Sequence, residues 1–247
     1  MKVVKALFSL VWRFWFLLAY VVPFILLMPI TIVFTFHQKL YPYLYWFLHR
    51  IAWLMLYASG IFPKIKREEI IDRSKQYIFC SNHPSTLDIV LMFALSKKPI
   101  SFIGKSSLAK VPVFGYYYKT FNVLVDRSNL RNTYHAYQQA GKKLKEGKNL
   151  VIYPEGGIPK EEIRLFRFKN GPFRLAVEEQ VSIIPITFAD NKRLFPISYF
   201  RGKPGVARIT IHQEISTKGM NEKNIEGLKM KVYQIIESEL ISYENES

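Results

Sequence analysis

The sequence predicts an α/β domain with a mixed, mostly parallel sheet flanked by helices, preceded by an N-terminal membrane-associated helical segment. Two observations carry this. Downstream of Pro63, six short β-rich runs alternate with segments of helical character, as expected of strand-to-strand crossovers in a largely parallel sheet. Upstream, no acidic residue occurs between Met1 and Arg67, and Phe14 to Phe36 carries no charge of either sign. A bilayer core takes roughly 20 apolar residues to cross, so that run is long enough.

From the N-terminus, the first apolar block contains Pro23 and Pro29, which would kink a helix. A steep span, a hairpin confined to one leaflet and an interfacial pair of helices all fit. The second block, Leu40 to Pro63, is interrupted by His49 and Arg50 and crowded with aromatics in YPYLYWFL. Those rings, with Trp12, Trp15 and Trp53, suit the headgroup boundary, where an apolar body and a polar tip are both accommodated. The apolar run is too long for a secretory signal peptide, and no small-residue cleavage site follows it. Lys2, Lys5 and Arg13 before the run are matched by Lys39 and Arg50 after it, so charge bias sets no orientation. The charged stretch KIKREEIIDRSKQ then reads as a connector. It places a boundary near residue 63, with 1–63 as membrane-anchoring helices and 64–247 as a second domain.

Within 64–247, YIFC, ISFIG, NVLVD, NLVIYP, VSIIPITF and ARITIH read as strands. Pro84–Leu95, Leu130–Lys145, Pro172–Gln180 and Asn221–Leu240 read as helices. SNHP follows YIFC, DRSN follows NVLV, and PEGG follows NLVIY. Each sits just past a strand end, where sheets of this class collect their ligand sites.

The net charge of +16 over 247 residues implies an anionic partner: nucleic acid, an acidic membrane surface or a phosphorylated substrate. The uncharged N-terminal run and the lack of a recognition motif argue against nucleic acid. Cys80 is the sole cysteine, which excludes an intrachain disulfide and a CxxC metal knuckle; no metal site is expected.

Two readings fit SNHPSTLD. Asn82 or Ser85 caps a helix, with His83 and Asp88 solvated. Alternatively, Pro84 opens the helix, His83 sits at its cap, and Asp88 lies one turn in, where its carboxylate fixes the imidazole tautomer and stabilises the imidazolium. In YPEGG the glycines let backbone approach a ligand, and Glu155 has the chemistry to accept a hydrogen bond from a substrate hydroxyl; a plain chain reversal fits the same residues. Lys105 and Arg127, at strand ends, suit phosphate binding. Arg164, Arg167, Lys169 and Arg174 suit either phosphate or an anionic lipid surface. Pro185 in IIPITF reads as a strand proline at an edge or bulge.

Taken in order, these stretches resemble the glycerolipid acyltransferase family typified by PlsC, the 1-acylglycerol-3-phosphate acyltransferases. The NH-four-residues-D pattern is similar to Asn82, His83 and Asp88. A second block ending in an arginine resembles FNVLVDR with Arg127. FPEGT is similar to YPEGG, and V-P-I to IPIT; GKSSLAKVPVFG and FKNGPFRLA also resemble family segments. The likeness covers roughly residues 76–190.

The resemblance implies acyl transfer from acyl-CoA or acyl carrier protein to the hydroxyl of 1-acylglycerol-3-phosphate, giving phosphatidic acid, on the cytoplasmic side of a membrane. It implies no cofactor, no metal and no acyl-enzyme. His83 would be the general base and Asp88 its orienting partner. Asn82, Lys105, Arg127, Glu155 and Gly156 would bind substrate, Lys105 and Arg127 through the acceptor phosphate. Backbone amides at the start of the Pro84 helix would stabilise the oxyanion. Two departures stand out: Phe121 or Asn122 replaces the glycine of the second block, and Gly157 and Ile158 replace the threonine and arginine after PEG. The missing arginine keeps a lysolipid with another headgroup, such as an amino-acid lipid, open as the acceptor. A non-catalytic lipid-binding protein has no need of the His83–Asp88 pair.

Overall fold

The computed structural model describes residues 2–111, 114–126 and 130–246. Two helices come first, α1 (Lys2–Val33) and α2 (Tyr41–Ala58), followed by strands β1 (Ile61–Arg67) and β2 (Ile78–Ser81). Next are α3 (Leu87–Leu95), β3 (Ile100–Lys105), α4 (Phe114–Phe121), β4 (Val123–Val125), α5 (Leu130–Lys145) and β5 (Asn149–Ile152). The chain closes with α6 (Gly171–Glu178), β6 (Ile183–Phe188), α7 (Asn191–Leu194), β7 (Gly205–Ile211) and α8 (Ile225–Asn245).

The seven strands form one sheet ordered β1-β7-β6-β2-β5-β3-β4, and every neighbouring pair is parallel except β6 with β7. The α/β class and the mixed, mostly parallel sheet are therefore as the sequence predicts, and all six expected strands are present. The central β2, β5 and β6 are buried at every position, which is why they read as unbroken apolar runs rather than alternating ones. Pro185 lies within β6, in register with Cys80 of β2, so it is a central-strand proline and not an edge one.

One strand escaped the sequence. β1 occupies IFPKIKR, whose second half reads as a charged connector. It is an edge strand paired only with β7, so its outward positions are solvated and a proline is tolerated there. The helix expected from Pro84 begins instead at Leu87. α4 and the short α7 were not anticipated.

Apolar packing fixes both faces. On one, α8 buries Ile225, Leu228, Val232, Ile236 and Leu240, a single stripe at helical spacing, against Ile78, Leu150 and Ile183 of the sheet. Full burial of such side chains is worth about 1.5–3 kcal/mol each. On the other, Leu44, Tyr45, Ala52 and Leu56 of α2 and Trp12 and Phe16 of α1 share one cluster with Leu91, Ile100, Val151 and Ile209. The two N-terminal helices thus pack directly on the sheet domain.

α1 runs through Pro23 and Pro29 without a break in its helical assignment. Near the second proline, the hydroxyls of Thr31 and Tyr117 both lie within hydrogen-bonding distance of the Met28 carbonyl, at 3.0 and 2.9 Å. The helix is fastened along its length. Ser9 Oγ donates to the Gly202 carbonyl, and Trp12 and Trp15 donate to the carbonyls of Ser59 and Ala58. Arg13 donates to the carbonyls of Pro196 and Arg201, and the Thr31 hydroxyl bonds that of Tyr117. Just past the helix, Thr35 bonds the Tyr116 hydroxyl. The opposite face of α1, including Leu7, Phe14, Leu17, Val21, Ile25 and Val33, is exposed.

Candidate active site

Because β2, β5, β3 and β4 are parallel, the segments after them emerge along one rim of the sheet, and β6, parallel to β2, delivers its own exit there as well. Asn82 continues the β2–β6 pairing past the last strand residue. Its side-chain amide donates to the Phe188 carbonyl and accepts from the Phe188 N–H, at 3.0 and 2.8 Å. Asn82 is buried, and its side chain serves this bracket between β2 and β6.

His83 comes next, with 13% of its side chain exposed. Nδ1 lies 2.8 Å from Asp88 Oδ2, and the imidazole stacks on the Tyr153 ring with centroids 3.8 Å apart and planes 12° from parallel. Held by a carboxylate on Nδ1 and an aromatic plane on one face, the ring presents Nε2 away from Asp88. Nε2 has no hydrogen-bond partner among the described residues.

Asp88 is fully buried. Oδ2 accepts from His83 and from the Ser85 N–H, while Oδ1 accepts from Asn191 Nδ2 at 2.6 Å. Burial pushes its pKa upward, opposed by the hydrogen bond and charge of His83, then by Asn191 and the Ser85 amide. Each sequence reading of SNHPSTLD is met in part: Ser85 does cap the helix start, but His83 and Asp88 are not solvated and instead form the buried pair of the second reading. Ser85 Oγ accepts from the Leu87 N–H while Asp88 accepts from the Ser85 N–H, a reciprocal arrangement of the capping-box kind. The same carboxylate closes the helix start and holds the imidazole. Pro84 lies before the helix, not in its first turn.

That capping narrows the oxyanion expectation. The N–H groups of His83, Ser85, Leu87, Asp88 and Ile89 are all bonded within the chain. Among the described residues at this turn, the Thr86 N–H is the amide left without a partner.

Glu155 follows β5 and is also buried. Oε1 accepts from the His83 N–H at 2.7 Å and Oε2 from the Phe166 N–H at 2.8 Å. Burial raises its pKa, against the pull of those two amides. The carboxylate therefore ties the histidine turn to the 166–169 segment, with each oxygen accepting from a backbone amide. Gly156 has φ +82°, and a Cβ there would lie 2.8 Å from both Cε and Nζ of Lys169. The backbone conformation favours glycine here, and the lysine end is laid closely across it. The Lys169 N–H donates to the Pro154 carbonyl, which fixes that overlay.

Lys105 ends β3, exposed and on the same rim, two strands from β2. Arg127 lies outside the described residues. Among the described residues no cluster of His, Cys, Asp and Glu has the makings of a metal site. Sequence reasoning missed Tyr153 as the histidine's stacking partner although it opens YPEGG, Lys169 as the partner of Gly156, and Asn191 altogether. Only Asn191 carried no local signal, because it stands 103 residues from Asp88.

Comparison with known proteins shows what the chain as a whole is similar to. A family model described as Acyltransferase matches residues 63–189. A 1-acyl-sn-glycerol-3-phosphate acyltransferase of Chlamydomonas reinhardtii is 24% identical over 242 residues, covering 96% of this chain and 71% of the relative. The enzyme of the same name from Saccharomyces cerevisiae is 27% identical over 182 residues, covering 72% of this chain, and this chain spans 60% of its length. The crystal structure of the 1-acyl-sn-glycerophosphate acyltransferase PlsC from Thermotoga maritima superposes with a TM-score of 0.80 at 21% identity, covering 99% of this chain and 98% of that one.

Proposed function

The chain belongs to the acyltransferase family, and from that premise we propose that it moves a fatty acyl group from a thioester of CoA or acyl carrier protein to the free hydroxyl of 1-acylglycerol-3-phosphate, giving phosphatidic acid at a membrane surface. The observation that carries this reading is the buried Asp88 carboxylate 2.8 Å from His83 Nδ1, with Nε2 left unbonded on the far side of the ring. Nε2 takes the proton of the acceptor hydroxyl as its oxygen attacks the thioester carbonyl carbon. The tetrahedral adduct collapses by breaking the carbon–sulfur bond, and the imidazolium returns the proton to the departing thiolate. Asp88 stabilises the imidazolium between those two transfers. Tyr153 stacks on one ring face and restricts rotation of the imidazole.

Support for the phosphate-bearing acceptor comes from the names of the relatives and from cations on the rim. Gly157 and Ile158 stand where the family pattern carries threonine and arginine, and Lys169 makes good the missing positive charge. Its ammonium lies over Gly156, and no carboxylate is within ion-pair distance of it among the described residues. Lys105 adds a second cation from β3, and Arg127 follows β4 in sequence.

The fastening of α1 from Ser9 to Thr31 sets how it meets a bilayer. Those contacts extend over about 33 Å of helix at 1.5 Å per residue, two of them against the end of α2 and the others against the domain that carries the dyad. A helix so attached lies along the body and enters one leaflet side-on, with Leu7, Phe14 and Val21 in the acyl region. Among the described residues α1 is the one helix long and apolar enough to cross a membrane, and only 17% of its most apolar window is buried, unlike a core helix. A single-tailed acceptor in that leaflet then presents its hydroxyl at headgroup depth, level with the site.

The test is an acyl-transfer assay of the full chain in mixed micelles, with palmitoyl thioesters of CoA and of acyl carrier protein and a panel of lysolipids, beside His83→Ala. Phosphatidic acid formed by the wild type and lost in the variant supports the reading. Product from another lysolipid alone would keep the chemistry and overturn the acceptor. Full activity in His83→Ala would remove His83 as the base.

A further inference from the structure

We propose that Asn191 is a positioning residue of the dyad: its side-chain amide, delivered by α7, fixes the orientation and charge state of Asp88 that His83 requires. The proposal rests on the reading of His83 as the base. Asn191 is fully buried, and its Nδ2 donates to Asp88 Oδ1 at 2.6 Å, a charge-assisted bond. A carboxylate hinged only at its stem can rotate. With Oδ1 pinned by Asn191, Oδ2 is left pointing at the imidazole and the Ser85 N–H, and the two oxygens have separate tasks.

The other end of the Asn191 amide sharpens the argument. Its Oδ1 is buried and has no hydrogen-bond partner among the described residues. Burying an unpaired carbonyl oxygen is unfavourable, and an apolar side chain of the same size would avoid that penalty. What offsets it is the bond that Nδ2 makes to Asp88.

A residue so distant in sequence acts reliably only if its own segment is fixed, and it is fixed at both ends. Before it, Asp190 accepts from the backbone N–H, Nε and a terminal nitrogen of Arg208 and from Arg193. Burial tends to raise the Asp190 pKa, but these donors bring it below the ordinary carboxylate value. After it, the Phe195 carbonyl accepts from Ser85 Oγ at 2.6 Å, and the Phe195 ring is stacked on Phe16 of α1 with Arg13 over it. One short segment therefore grips the HPSTLD turn at two points, Asp88 and Ser85. Through Phe195 it ties that turn to the helix assigned to the membrane.

The experiment compares Asn191→Leu and Asn191→Asp with wild type and His83→Ala, in the full chain, measuring kcat, KM for both substrates and their pH profiles. Leucine keeps the volume and removes the donor. Its expected effect is a fall in kcat of about 10- to 100-fold, the range of one charge-assisted hydrogen bond, with KM changed by no more than about 3-fold. The acid limb of kcat should move to higher pH, since a carboxylate that loses a donor becomes more basic and draws a proton to the pair sooner. The profile reports the cluster facing Asp88, which includes His83, Glu155 and Tyr153.

Aspartate at 191 shares a proton with Asp88, because two carboxyls in contact do not both ionise readily, and so it keeps a donor at neutral pH. It should regain most of the activity there and lose it on the alkaline side, a pattern that a purely structural role does not produce. Wild-type kcat and acid limb in Asn191→Leu would overturn the proposal. If the leucine variant does not fold, an aspartate variant without an alkaline loss overturns it equally. An active His83→Ala would instead bring down the base assignment, whereas an inactive His83→Ala beside a normal Asn191→Leu would reject only the role of Asn191.

Discussion

Replacing Asp88 with asparagine separates the charge of the dyad from its geometry. In Asp88→Asn the new side chain can place its carbonyl oxygen where Oδ2 now lies and keep the bonds from His83 Nδ1 and the Ser85 N–H. Its NH2 then faces Asn191, whose amide turns over to present the Oδ1 that at present has no partner. One unpaired buried atom is exchanged for another, and a desolvated carboxylate becomes a neutral amide. The change in stability should be within about 1 kcal/mol, or roughly 2–4 °C in Tm. Catalysis should respond far more. An imidazolium 2.8 Å from a full negative charge is favoured by about 6 kcal/mol at an effective dielectric of about 20, and by about 3 kcal/mol if half the charge has developed in the transition state. Those figures predict a fall in kcat of roughly 10²- to 10⁴-fold. The tautomer is preserved, so no further loss from a misplaced proton adds to it. Release of free thiol from the acyl donor in micelles measures kcat, and a thermal melt of the same sample measures stability. A variant keeping more than about a third of wild-type kcat would refute stabilisation of the imidazolium by Asp88. A melt lowered by about 10 °C or more would refute the accommodation by Asn191.

Other expectations follow from neighbouring residues. Lys169→Ala should raise KM for lysophosphatidic acid about 5- to 20-fold with little change in kcat, since a cation that holds phosphate contributes to binding, and an unchanged KM would reject that role. The Tyr153 hydroxyl is buried without a partner among the described residues, so Tyr153→Phe should raise Tm by roughly 2–4 °C while keeping the stack on His83; a lower Tm would show that the hydroxyl is satisfied. Leu7, Phe14 and Val21 share one exposed stripe of α1, and changing all three to glutamate should release the protein from anionic vesicles in a flotation assay while leaving the far-UV spectrum intact. Retained flotation would place the membrane contact elsewhere.

The strands and the dyad were legible because both are local. A central strand betrays itself as four to six consecutive apolar residues, and His83 and Asp88 lie within one turn of chain. What was not legible depends on what the chain meets later. β1 carries the lysines and arginine of a connector, and only its place at the sheet edge makes that composition acceptable as a strand. Pro84 is a fair helix-opening signal, but Ser85 and Asp88 satisfy the first amides between themselves and move the start to Leu87. Glu155 looks like a substrate ligand in PEGG, yet its two oxygens are claimed by amides 72 residues before it and 11 after it. Asn191 and Asp88 meet because α7 and α3 follow the paired strands β6 and β2, and no spacing rule connects residues on helices so far apart in sequence.

The reversal of direction between β6 and β7 decides where this molecule works. Because β1 follows β7 and both run against the rest, Ile61 and Gly205 begin at the rim where β2 and β5 finish. Had the sheet been parallel throughout, the chain entering β1 would have come from the opposite end, and α1 and α2 with it. The inverted edge brings the start of β1, and α1 and α2 with it, to the rim that carries His83 and Asp88, so that under the proposed function a lipid need not leave its leaflet to be acylated.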